Sequence, residues 1–160
     1  MSAELLPLYE ASVAPEWCDY NHHLNDAYYA LAFSRATDGL MDRIGLDAAG
    51  RAASGRTIYT LGMVIRYVRE IREGENFAVF GQIIERDAKR LRLWLEMRHA
   101  GVGHLLATSE QLIACVDQSG ERPRIASFLP AMQEALDAIA GEQAGLPAPE
   151  EAGKGISMRR

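Results

Sequence analysis

Residues 26–44, DAYYALAFSRATDGLMDRI, and residues 57–71, TIYTLGMVIRYVREI, decide how this chain is built. In the first stretch Tyr29, Phe33, Ala36, Leu40 and Ile44 recur at three- and four-residue steps, which puts them on one face of a helix. Asn25 is placed to cap the start of that helix and Gly45 to stop its end. The second stretch changes period. Its β-branched and aromatic residues predict a long strand.

Working outward from this pair, residues 5–14 read as a short strand and Asp47 to Gly55 as a small-residue linker. Residues 76–86 form a further strand, and 87–89 a tight turn. Residues 90–98 alternate, with Leu91, Leu93, Leu95 and Met97 facing a core and Arg92, Trp94, Glu96 and Arg98 facing water. Residues 104–117 complete a run of hairpins, because short turns between consecutive strands imply antiparallel pairing. Pro130 opens a short helix with the stripe Leu129, Met132, Leu136 and Ile139, ended by Gly141. One early helix followed by hairpins predicts an α+β domain over residues 1–141, an antiparallel sheet wrapped on the long helix. Residues 142–160, rich in Ala, Gly, Pro and Glu, form an extended C-terminal tail. Such a sheet leaves an edge strand and an open face, so a homodimer or dimer of dimers is expected.

Composition narrows the function. A length of 160 residues with 48% hydrophobic and 24% charged side chains fits one folded domain rather than a disordered chain. The net charge of −5 excludes a general nucleic-acid binder. No apolar stretch is long enough to span a membrane, and Met1–Glu10 has no signal-peptide pattern. Cys18 and Cys115 form neither a disulfide framework nor a metal-ligand spacing, so a reducing cytoplasm and no metal or other cofactor are expected.

The reactive groups concentrate in Trp17-Cys18-Asp19-Tyr20-Asn21-His22-His23-Leu24-Asn25-Asp26, directly before the long helix. A helix N-terminus presents unpaired N–H groups and a partial positive charge, which can polarise a carbonyl and hold an oxyanion. The N–H groups from Asn25 through Asp26 to Ala27 are the candidates. Asp19 and His23 can serve as acid and base, and Asn21 as an orienting amide. The competing readings are structural: Asn25 as a plain cap, and Asp19 as the closure of an Asx turn.

The run Asp19-x-Asn21-x-His23-x-Asn25 resembles the D-x-N-x-H-x-N signature of plant acyl-carrier-protein thioesterases and related acyl-CoA thioesterases. The strand–helix–four-strand order resembles the hotdog fold. Tyr67, Glu70, Gly74, Asp87, Lys89, Arg90, Leu91, Ala107-Thr108, Glu110-Gln111, Leu146-Pro147 and Gly153 extend the likeness to the bacterial thioesterase-like branch, of the 4-hydroxybenzoyl-CoA thioesterase type. Within that branch it resembles the betainyl-CoA thioesterases of carnitine breakdown. The resemblance implies hydrolysis of a small acyl-CoA, with Asp19, Asn21 and His23 as the active-site residues. A hotdog dehydratase or hydratase, and a non-catalytic acyl-CoA-binding protein, are the alternatives.

The resemblance also implies a pocket between subunits, completed by β-strand residues such as Tyr59 and Met63 of a neighbouring chain. Trp17, Tyr20, His22 and Tyr28 are the further pocket candidates, since aromatic faces bind quaternary ammonium groups. Relatives read Gly-His-Met where this chain has His22-His23-Leu24, and carry histidines near the positions of Val64 and Leu95. Charge is unevenly spread: residues 64–98 hold 8 basic and 6 acidic side chains, against 9 and 16 in the remainder. Arg66, Arg86, Lys89 and Arg90 are therefore the candidates for holding the CoA phosphates.

Overall fold

The computed structural model describes residues 3–158. Residues 1, 2, 159 and 160 of the expected domain and tail lie outside the described residues. The strands are β1 (Leu6–Ser12), β2 (Arg56–Tyr67), β3 (Asn76–Arg86), β4 (Arg90–His99), β5 (Leu105–Asp117) and β6 (Arg124–Ile125). The helices are α1 (Asp26–Arg43), α2 (Ala48–Ser54) and α3 (Pro130–Glu142). The sheet is antiparallel in the order β1-β3-β4-β5-β2, with β6 added to β5. This is the expected α+β arrangement of a sheet around one long helix.

The periodic face of α1 goes where its spacing sends it. Tyr29, Phe33, Ala36 and Leu40 are buried and share one core with Leu91, Leu93, Leu95 and Met97 of β4. The Asn25 side chain accepts the Ala27 N–H at 3.0 Å, and Gly45 sits at φ 81° just beyond the helix end. Those are the start and stop that the sequence predicts. Met132, Leu136 and Ile139 of α3 join the same core.

Three expectations need correction. The linker 47–55 is largely helix: Asp47 accepts the Gly50 N–H at 2.7 Å and so caps α2, a device that small-residue composition conceals. The strand expected over 57–71 ends at Tyr67, where Val68 and Arg69 both donate to the Leu106 carbonyl and the chain bends away. Trp94 does not face water. It is 3% exposed, and its register partners Gln82 and Glu110 both bond the C-terminal segment.

That segment crosses the outer face of the sheet. Gln82 donates to the Pro147 carbonyl at 3.2 Å, the Gly153 N–H donates to the Glu110 carboxylate at 2.9 Å, and Arg66 donates to the Gly155 carbonyl at 2.7 Å. Gln143 closes the β3 edge beyond the end of β1. Its side-chain amide donates to the Gly81 carbonyl and accepts the Ile83 N–H, as a paired strand would. No helix among the described residues is long and apolar enough to cross a membrane.

Helix α1 meets β1 through Gly39. A Cβ at that position would stand 2.2 Å from the Leu8 carbonyl oxygen. Gly39→Ala should therefore destabilise the protein by about 1–3 kcal/mol in urea unfolding, although alanine is the better helix former. Stabilisation by alanine would show that α1 does not approach β1 this closely.

Candidate active site

The loop before α1 is a tight hairpin pinned to the bend after β2. Asp19 donates its N–H to the His23 carbonyl at 2.8 Å, and the His22 N–H donates to the Asp19 carbonyl at 3.0 Å. Leu24 donates to the Ile71 carbonyl and Glu73 to the His22 carbonyl, so His23 lies opposite Arg72. Within this frame Asp19 Oδ1 accepts the N–H groups of Asn21 and His23, at 2.8 and 3.2 Å. The Asx-turn role thus coexists with the catalytic candidacy. One carboxylate oxygen organises the loop, and Oδ2 carries no bond within the described residues.

A cleft of about 430 Å³ opens at this point. Asp19, Asn21, His23, Asn25 and Asp26 line one side, and Tyr29, Tyr67 and Val68–Glu70 line the other. The His23 imidazole Nδ1 stands 3.2 Å from Glu70 Oε2. The Tyr29 and Tyr67 rings meet edge to face at 5.2 Å. The Tyr67 hydroxyl donates to the Asp26 carbonyl and the Tyr29 hydroxyl to the Arg69 carbonyl, each at 3.3 Å. Burial, reinforced by Tyr67, pushes the Tyr29 phenol up to about 12, and burial raises Tyr67 also. Both therefore act as neutral donors that fasten helix to strand. Burial raises the Cys18 thiol, which donates to the Ala14 carbonyl.

The three candidate N–H groups are not equivalent. Asn25 donates to the Trp17 carbonyl and Ala27 to the Asn25 side chain. Asp26 alone of the three keeps an unengaged N–H among the described residues.

Other candidates lie off the cleft. Trp17 and Tyr28 stack on each other at 5.9 Å, and Tyr20 is 92% exposed at the hairpin tip. Tyr59 and Met63 sit on β2, the sheet edge, with the Tyr59 hydroxyl accepting from Gln118. Arg66 clamps the C-terminal segment. Arg86 pairs with Asp137 and Arg90 with Asp87, while Lys89 shares their turn. At roughly 3.3 Å per residue, β3 puts this turn about 33 Å from the Arg72–Glu75 bend that holds the site loop.

The sequence puts Tyr29 among the aromatic residues near the site, with a plain core role as the competing reading, but gives Arg69 and Glu70 no place there. Tyr67 and Glu70 were visible only as part of the family likeness. The usable signal is the bend at Val68, which turns a strand end into a cleft wall.

A profile of the thioesterase-like superfamily matches residues 13–136. The chain belongs to that superfamily. Among thioesterase-like relatives, a betainyl-CoA thioesterase of Pseudomonas aeruginosa is 40% identical over 98% of this chain and 97% of its own. An L-carnitine dehydrogenase/betainyl-CoA thioesterase of Agrobacterium fabrum is 37% identical over 97% of this chain, which spans 31% of that longer protein. A Staphylococcus aureus protein solved in complex with CoA superposes with a TM-score of 0.87 at 26% identity, covering 99% of this chain and 98% of that one. The sheet wrapped on α1 is the hotdog fold of these thioesterase-like proteins.

Position 22 has a backbone that favours glycine. His22 lies at φ 60°, in the left-handed region. Its exposed ring stands 3.6 Å from the Glu73 carboxylate. His22→Val should lower stability by about 1–2 kcal/mol, whereas His22→Gly should not lower it. Urea unfolding of the two variants reads the difference, and equal losses would mean that the backbone does not set the preference.

The Asp87 carboxyl supplies a pH test. Hydrogen bonds from the Lys89 and Arg90 N–H groups and the Arg90 guanidinium lower it to about 2. A depressed carboxyl stabilises above its unfolded value, near 3.8, and loses that contribution as pH falls through 2. Asp87→Asn should flatten the fall in melting temperature between about pH 4 and 2. An unchanged slope would remove Asp87 from the acid response.

Proposed function

We propose that this protein hydrolyses a small acyl-CoA thioester, with Asp19 and His23 at the reacting centre. The observation that carries the reading is the placing of Asp19, His23 and the unengaged Asp26 N–H on one cleft at a helix N-terminus. The Asp26 N–H and the α1 dipole polarise the thioester carbonyl. Asp19 Oδ2, with His23, either takes a proton from an attacking water or attacks the carbonyl itself. Asn21 orients the water or the acyl group. In the first route the proton taken from water passes to the sulfur as the C–S bond breaks, so the free acid and the CoA thiol are released. In the second the C–S bond breaks as an Asp19 acyl anhydride forms. A water then hydrolyses that anhydride to the free acid and the Asp19 carboxylate, its proton balancing the one the CoA sulfur takes up. Asp19→Asn and His23→Ala should each reduce thiol release from acyl-CoA by at least about 100-fold, the usual size of a general acid–base contribution. Full activity in both variants overturns the assignment.

The acyl group we propose is betainyl. The Pseudomonas aeruginosa relative supports it, and so does the lining of three carboxylates and two tyrosines around the cleft. Both kinds of group favour a quaternary ammonium. A panel of betainyl, short linear and aromatic acyl-CoAs should show a betainyl preference of about fivefold or more. Equal rates on all three count against it.

We also infer a homodimer or dimer of dimers, completed by Tyr59 and Met63 of a neighbouring chain. The β2 edge, with Tyr59 and Leu61 exposed, supports this. Two free cysteines fit the reducing cytoplasm.

A further inference from the structure

The basic residues that the sequence singles out for the CoA phosphates are committed or distant. Arg66, Arg86 and Arg90 are bound to the chain's own carbonyls and carboxylates, and Lys89 lies in the far turn with Arg86 and Arg90. Two other guanidiniums, those of Arg69 and Arg72, carry no ion pair or hydrogen bond among the described residues. Both line a second cleft, of about 620 Å³, at the site end of the sheet. It shares the Val68–Glu70 wall with the first cleft, so the two openings are neighbours across one stretch of backbone.

The carboxylates there are already engaged. Glu70 faces His23 in the first cleft. Glu75 accepts the Arg72 N–H at 2.8 Å and lies 3.7 Å from His99 Nε2. The far wall is the β4–β5 turn. There His99 Nδ1 accepts the N–H groups of Gly101 and Val102, and its ring lies 5.3 Å from that of His104. Two planar cations with no direct ion pair among the described residues, Arg72 within electrostatic reach of Glu75, stand beside an imidazole wall, an arrangement that suits a phosphate.

We propose that this second cleft holds a phosphate group of the CoA moiety through Arg69 and Arg72, while the thioester occupies the first cleft. The proposal rests on the acyl-CoA reading above. It assigns the bend after β2 two duties: one side walls the reacting centre, and the other anchors the anionic end of the substrate. No chemistry passes through Arg69 or Arg72. They act on ground-state and transition-state binding alike, so their loss appears in KM and leaves kcat in place.

The test compares the wild type with Arg72→Gln, whose residue lines the second cleft and not the first, on two substrates with one acyl group: the CoA ester, and a pantetheine ester without phosphates. The expected result is a rise of about tenfold or more in KM for the CoA ester, the size of one lost charge-assisted contact, with kcat within about twofold. The pantetheine ester should be unaffected, and added salt should weaken the wild type more than the variant. An unchanged KM, or an equal loss on both esters, overturns the proposal. A KM rise in Arg86→Gln/Arg90→Gln with none in Arg72→Gln overturns it also. Calorimetric binding of free CoA separates this proposal from the hydrolase reading. A wild type that cleaves no ester but binds CoA, with that affinity lowered by the same factor in Arg72→Gln, refutes hydrolysis and keeps the phosphate site. A wild type that binds no CoA refutes the site.

Discussion

Everything at the candidate site depends on one seam of backbone hydrogen bonds between the loop before α1 and the bend after β2. Leu24 bonds Ile71, Glu73 bonds His22, and Val13 exchanges bonds with Gly74 and Glu75. These contacts bring together residues about fifty to sixty positions apart in the chain. Backbone groups so placed need partners, and here each segment supplies the other's. The seam fixes the direction in which α1 starts. It thereby decides which carboxylates stand before the helix N-terminus and which tyrosines close behind it. The side chains then add precision: Asp19 braces the hairpin from within, and the Tyr67 hydroxyl ties the strand end to the first helical residue.

The sheet serves this seam by being anchored elsewhere. Helix α1 lies so close to β1 that only a hydrogen at Gly39 fits against the Leu8 carbonyl. Gln143 continues the β3 ladder where β1 stops. Both contacts lock positions far from the reacting centre, so the loop can keep a strained residue at His22 without loss of register.

The legible parts of the sequence were those governed by local period and local caps. The stripe of α1, its Asn25 cap and Gly45 stop, and the alternation of Leu91 to Met97 all follow from spacing alone. The run from Asp19 to Asn25 announced the site because its residue types cluster within seven positions. What spacing could not reveal was long-range. Trp94 looked solvent-facing because nothing local says that residues near Pro147 return to cover it. Arg86 reads as available because its carboxylate, Asp137, comes from a distant helix. Glu70 and Arg69 read as the end of a strand, and only the fold turns that end into a wall shared by two clefts.

The C-terminal segment runs as a belt over β3, β5 and β2, bonding Gln82, Glu110 and Arg66 in turn. A belt of this kind decides how copies of the molecule can be put together. The face it covers is closed to stacking against another sheet unless the belt is first peeled away. What stays open is the rim of the sheet along β2, where Tyr59 and Leu61 stand bare. The strip of sheet beneath the belt is thus unavailable to a partner while the belt stays seated, whereas the belt leaves the β2 rim uncovered.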